Sequence, residues 1–196
     1  MRLFVALDVP DETRESLAEL IARLKAKCPL AKWVRPDAMH VTLKFIGNTD
    51  DENLPAIRQA LANIRDFAPV ELRFRSLGFF PNERRPRVMW CGVETSPNTA
   101  QLAAEVDRAL IPMGIEREAR AFTPHLTLAR FNSHELHQRS KTPAGLPEII
   151  QAAGELASKE FGALRTSKFH LFQSKLSPSG AQYTLLETFT FAEAAI

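Results

Sequence analysis

Five histidines occur in this chain of 196 residues, and two of them share one local pattern. "MHVTLKF" carries His40 and Thr42; "PHLTLAR" carries His125 and Thr127. In a strand, side chains alternate between faces, so each histidine and its threonine share one face while Val41, Leu43, Leu126 and Leu128 take the other. The threonine then lies roughly 6.5–7 Å from its histidine. Imidazole titrates near neutrality and can take or give a proton; a threonine hydroxyl can donate to an anionic oxygen. A single pair carries little weight, because a buried histidine bonded to a carbonyl beside a good strand former is common. Two pairs facing each other could perform concerted acid–base chemistry, each role worth roughly 10²–10⁴-fold in rate. Two hydroxyls and one imidazolium suit a phosphoryl group attacked from one side and expelled from the other.

The elements around the two pairs run in the same order. "RLFVALDV" reads as a strand, Pro10-Asp11-Glu12 opens a helix, and Leu17, Leu20, Ile21 and Leu24 mark its apolar face before the first histidine strand. "RVMWCGVE" is again a strand, Ser96-Pro97 a cap and first helical position, and Leu102, Val106 and Leu110 the apolar face before the second. His125 follows His40 by 85 residues, and the same offset carries Asp11 to Ser96, Leu17 and Ile21 to Leu102 and Val106, and Phe4 and Val5 to Met89 and Trp90. Residues 1–196 are therefore expected to form a single bilobal domain built by internal duplication. A second helix with Leu54, Ile57, Leu61 and Ile64 buried, strands "VELRFRSLGFF" and "KFHLFQSKL"–"YTLLETFTF", and a short helix "PEIIQAAGELAS" complete the reading. The expected class is α+β: two pseudo-symmetric lobes, each an antiparallel sheet with helices on its outer face, enclosing a central cleft.

Composition narrows the partners. Apolar residues make up 45% and charged residues 24%, with a net charge of +2, so bulk charge alone does not announce nucleic-acid binding. Arg73, Arg75, Arg84, Arg85 and Arg87 cluster, as do Arg117, Arg120 and Arg130; each cluster is either a solvated face or an anion-attracting one. Cys28 and Cys91 lack metal-like spacing and suggest no disulfide framework. The opening apolar run is too short for a signal-peptide core and no later run is long enough for a membrane span, so a cytoplasmic protein without membrane partners is expected. Threonine is a poor zinc ligand, and no carboxylate or cysteine spacing accompanies the histidines. "HELH", with His134 and His137, is read as a solvated loop or helix start rather than a ligand pair, and His170 as a satisfied structural histidine rather than one that faces the groove. No G-x-S-x-G elbow supports a serine triad.

"HVTL" and "HLTL" resemble the paired H-x-T-x signatures of the 2H phosphoesterase superfamily. The opening "RLFVALDVP", the flanks "MHVTLKFIG" and "PHLTLAR", and the closing "LFQSKLSPSGAQYTLL" resemble its RNA 2′,3′-cyclic phosphodiesterase branch, also called the 2′-5′ RNA ligase family. The resemblance implies no metal or other cofactor, RNA ends or small nucleotides as substrate, and hydrolysis of 2′,3′-cyclic phosphates to 2′-phosphomonoesters. It implies His40 as proton donor to the leaving 3′-oxygen, His125 as proton acceptor, and Thr42 and Thr127 as phosphate ligands. Strand parity puts Lys44 on the histidine side and Phe45 on the core side unless the strand bends; Arg130 could meet phosphate or solvent. Alternatives are 2′-5′ ligation or cleavage, another cyclic-nucleotide phosphodiesterase, or, in a different class, a non-catalytic RNA-end-binding protein. A monomer is expected.

Overall fold

The computed structural model describes residues 1–131, 145–177 and 180–191. In chain order its elements are β1 (Arg2–Leu7), α1 (Asp11–Lys27), β2 (Lys32–Trp33), β3 (Val41–Asn48), α2 (Leu54–Ala62), β4 (Val70–Phe80), β5 (Val88–Thr95), α3 (Pro97–Leu110), β6 (His125–Arg130), α4 (Leu146–Glu155), β7 (Glu160–Thr166), β8 (Lys168–Ser177) and β9 (Gly180–Thr190). The helices form where the apolar spacing requires. Leu17, Leu20, Ile21 and Leu24 of α1, Ile57 and Leu61 of α2, and Leu102, Val106 and Leu110 of α3 are all buried. Asp11 and Glu12 stand in the first turn of α1, and Lys25 and Lys27 in its last, complementing the helix dipole at both ends. Ser96 holds the N-cap position of α3 but makes no cap bond. Its hydroxyl instead donates to Asn98 Oδ1 (2.6 Å) and accepts the Glu71 N–H (2.9 Å).

Two antiparallel sheets carry the fold, in the orders β3-β1-β8-β9 and β2-β6-β5-β4-β7. In both, the histidine strand lies beside the strand that leads into its helix, and a further pair of strands follows. Neither sheet is a contiguous stretch of chain. β4 leaves the first half to join the second sheet, and β8 and β9 return to the first. The helices cross as well: α1 packs against β7 of the second sheet, and α3 against β3 of the first. This interlocking holds the two histidine strands side by side. Register places Val5 opposite Lys44 and Met89 opposite Ala129, while buried Thr13 of α1 corresponds to buried Thr99 of α3. Leading strand and helix thus depart by one residue, in opposite senses, from the offset between the histidines. Among the described residues no helix is long and apolar enough to cross a membrane.

Gly162 shows how tightly α1 meets β7. It has φ 151°, and a Cβ there would lie 2.1 Å from Thr13 Oγ1, with Thr13 fully buried in the first turn of α1. Gly162→Ala is expected to destabilise the protein by about 1–3 kcal/mol through overpacking, read as a lower denaturant midpoint at unchanged slope. An unchanged midpoint would show that the helix can move away at no cost.

Candidate active site

Both histidines are anchored in the same way. His40 Nδ1 donates to the Ala38 carbonyl (2.9 Å), and His125 Nδ1 to the Thr123 carbonyl (2.8 Å), in each case two residues upstream. A carbonyl only accepts, so Nδ1 must carry the hydrogen, and in the neutral ring Nε2 is left with a free lone pair. His40, Thr42, His125, Thr127 and Arg130 line a single cleft of ≈ 210 Å³. The four residues of the two H-x-T pairs are therefore brought together, with Arg130 beside them.

Parity along the histidine strands changes where each has a bulge. Ala6 faces Thr42 and Val5 faces Lys44, which leaves Leu43 without a partner of its own. Trp90 faces Thr127 and Met89 faces Ala129, which leaves Leu128 in the same condition. An extra residue reverses the face taken by everything after it. Phe45 consequently lines the cleft, 59% exposed, and is no part of the core. Arg130 reaches the cleft for the same reason. Lys44 is turned away from the histidines, contrary to the sequence expectation. Its side chain, 4% exposed, pairs with Asp107 Oδ1 of α3 (2.5 Å) and donates to the Glu116 carbonyl (2.6 Å). Burial alone would raise the Asp107 pKa, but the Lys44 and Glu118 hydrogen bonds and the charges of Lys44 and Arg117 hold it below the usual carboxylate value.

Aromatic side chains wall both imidazoles. His40 lies against Phe4 (4.6 Å between ring centroids) and edge-on to Tyr183 (5.0 Å); His125 is edge-on to Phe80 (5.0 Å). Phe80 packs in turn on Trp90 (5.3 Å), whose ring passes over Gly78, where a Cβ would lie 2.3 Å from it. Removal from water, first of all, and then the positive charges of Arg130, Arg14 and His125 depress the His40 pKa to about 4, although its bond to the Ala38 carbonyl works the other way. Arg14 of α1 braces the approach to His40: it donates to the carbonyls of Val9 (2.9 Å), Pro36 (2.7 Å) and Met39 (3.0 Å) and pairs with Asp8. Sequence reasoning did not single out Tyr183, Phe4, Phe80 or Arg14. Tyr183, the sole tyrosine of the chain, sits on β9 in plain strand alternation, and nothing local marks it. These residues reach the site only through the β1–β8–β9 pairing and the α1 crossing.

The remaining candidates lie elsewhere. His170 Nδ1 bonds to Thr188 Oγ1 (2.9 Å), as a structural histidine would, yet the ring also borders a second pocket of ≈ 180 Å³ on the far side of His40. Arg75 pairs with Glu94 (3.4 Å) on the outer surface of β4 and β5. Cys28 and Cys91 are free and buried. His134 and His137 fall outside the described residues.

The sequence profile of the family described as LigT like Phosphoesterase matches residues 7–90 and 93–183. The chain belongs to this family. An RNA 2′,3′-cyclic phosphodiesterase of Methanothermobacter thermautotrophicus is 33% identical to it over 190 residues, covering 96% of this chain and 98% of the relative. One of Thermus thermophilus is 34% identical over 202 residues, covering 97% and 90%. Among solved structures, a Thermus thermophilus protein superposes with a TM-score of 0.78 at 30% identity, covering 99% of this chain and 100% of the other. Escherichia coli LigT complexed with 3′-AMP does so at 0.70 and 26%, covering 98% of both. The protein is thus an enzyme, a LigT-like phosphoesterase.

In this phosphoesterase the Lys44–Asp107 pair is an internal brace whose two halves depend on each other. Lys44→Met is expected to cost about 1–3 kcal/mol of stability, because it leaves the Asp107 carboxylate with only the Glu118 N–H and the exposed Arg117. Adding Asp107→Asn should recover part of that loss, with the coupling read from a double-mutant denaturation cycle. Strictly additive losses would mean that the pair is not coupled.

Proposed function

We propose that the protein hydrolyses RNA 2′,3′-cyclic phosphate ends to 2′-phosphomonoesters, by metal-independent acid–base catalysis between His40 and His125. The observation that carries this reading is the pair of imidazoles in one cleft, each pinned through Nδ1 with Nε2 left for chemistry. The names of the curated relatives support the substrate class. Water attacks the phosphorus as His125 Nε2 takes its proton. The P–O3′ bond breaks as His40 gives its proton to the 3′-oxygen, leaving a 3′-hydroxyl and a 2′-phosphate. Thr42 and Thr127 donate to the non-bridging oxygens, where charge accumulates, and Arg130 lies near enough to balance it. The two anchors are alike, so the donor and acceptor labels rest on the family resemblance. The scheme itself calls for no metal ion.

The free cleft keeps His40 neutral at pH 7, which opposes its role as donor. A bound phosphodiester anion offsets the charge of Arg130 and favours the imidazolium, so binding of substrate itself raises the donor's pKa. Three outcomes are expected. His40→Ala and His125→Ala should each lower kcat by roughly 10²–10⁴-fold on a 2′,3′-cyclic nucleotide, in the presence of a chelator. The break that His40 sets in kcat/KM, which reports the free enzyme, should lie near pH 4 and move to higher pH in kcat and in Arg130→Ala. The product should carry its phosphate on the 2′-oxygen, as phosphorus NMR would read. Turnover near the unmodified rate in both alanine variants would reject the assignment.

A further inference from the structure

A cleft of ≈ 210 Å³ has room for a phosphate and its ribose, but not for the strand of an RNA end. Among the described residues two openings lead away from it. The first passes His40 and Tyr183 into the ≈ 180 Å³ pocket beside His170, with Asp8 and Asp37 on its walls. Those carboxylates disfavour a phosphodiester, and Arg14, which also lines the pocket, is already held by Asp8. The second passes Phe45, which borders both the cleft and a groove of ≈ 900 Å³, near the upper end of the sizes usual for ligand sites. Arg2, Asn48 and Asn53 stand along one side of this groove, and residues 113–120 along the other.

The far wall is built, not loose. Lys44 ties it down at the Glu116 carbonyl (2.6 Å), and Asp107 accepts the Glu118 N–H (3.1 Å). Arg117 and Arg120 keep their side chains 79% and 90% exposed, and the contact of Arg117 with Asp107 Oδ2 is long (3.7 Å), on a carboxylate that Lys44 already balances. Asp50, Glu116 and Glu118 also border the groove, and Glu118 is matched by Arg120 (3.3 Å). The field is therefore mixed and suits a few phosphate contacts rather than a long tract. Resting on the phosphodiesterase reading above, we infer that this groove binds the nucleotides immediately preceding the cyclic end, with Arg117 and Arg120 on their phosphates. Such contacts are blind to sequence and sensitive to salt, so the enzyme prefers an oligonucleotide end to a mononucleotide.

The test compares kcat/KM for a tetranucleotide bearing a 2′,3′-cyclic phosphate with that for the matching cyclic mononucleotide, across a salt series. The oligonucleotide should be favoured roughly tenfold at low salt, through KM, as two phosphate contacts of ordinary strength imply. Its advantage should fall with a log–log slope of about −1.4 for two single-strand phosphates. In Arg117→Ala/Arg120→Ala the ratio should collapse toward one and the slope flatten, with the thermal midpoint showing that the fold is intact. A ratio of one in the unmodified protein, or a ratio and slope that survive the double substitution, overturns the groove. Fluorescence anisotropy of a 5′-labelled tetranucleotide ending in a 3′-phosphate separates this inference from the reading beneath it. If neither cyclic substrate turns over, the phosphodiesterase reading fails, while weaker binding by the double variant still supports the groove and equal binding still refutes it.

Discussion

The constraint on which the site depends is the hydrogen bond between the histidine of each H-x-T pair and the carbonyl two residues before it. An imidazole on its own can rotate and exchange its proton between two nitrogens. Bonded through Nδ1 to an acceptor that cannot donate, it is held in one tautomer and one orientation, and Nε2 is the nitrogen it leaves free. The bond requires a bend in the chain just ahead of each histidine. For His40 that bend is the short turn Pro36–Ala38, braced by Arg14 from the first turn of α1. A helix that packs on the opposite sheet thus sets the direction of a ring in the cleft.

Surroundings decide what each anchored ring can do. The apolar wall of Phe4 and Tyr183 strips water from His40, and Arg130 adds a positive charge close by; both favour the neutral imidazole. That arrangement is unfavourable for a resting acid and suitable for a site completed by an anion. The positive charge of Arg130, which adds to burial in keeping His40 neutral, is also what attracts phosphate, so occupation and protonation are linked. The same linkage bears on stability. Because the folded His40 pKa lies below the unfolded value of 6.5, the unfolded chain binds more protons between about pH 6.5 and 4. Stability therefore falls as pH drops through that window.

Much of this was legible in the sequence because it is local. Alternation placed His40 with Thr42 and His125 with Thr127, and the 3.6-residue period placed the buried faces of α1, α2 and α3. The doubled pattern pointed to two lobes around a cleft. What could not be read was set by pairing between distant strands. The bulges at Leu43 and Leu128 are defined by β1 and β5, not by any residue within the motif. Simple parity therefore misassigned Lys44 to the cleft and Phe45 to the core. β7, β2 and the exchange of β4 and β8 between sheets leave no periodic signature of their own. Tyr183 and Arg14 are ordinary residues in their own segments and become part of the site only when the chain crosses over. The bulges also explain why a lysine immediately after "HVTL" serves the protein interior: the extra residue turns Lys44 toward Asp107 and brings the aromatic ring that follows it to the mouth of the cleft.

The central claim is that two anchored imidazoles address one phosphorus from opposite sides, and a crystal structure with a nucleoside vanadate would test it most directly. Five-coordinate vanadium presents an apical oxygen to each side, in the positions of the attacking water and the departing 3′-oxygen. The account predicts His40 Nε2 and His125 Nε2 each at about 2.6–3.2 Å from a different apical oxygen, both Nδ1 bonds intact, and the hydroxyls of Thr42 and Thr127 on equatorial oxygens. Vanadium touched by only one imidazole, or by a ring that has flipped to offer Nδ1, would contradict it.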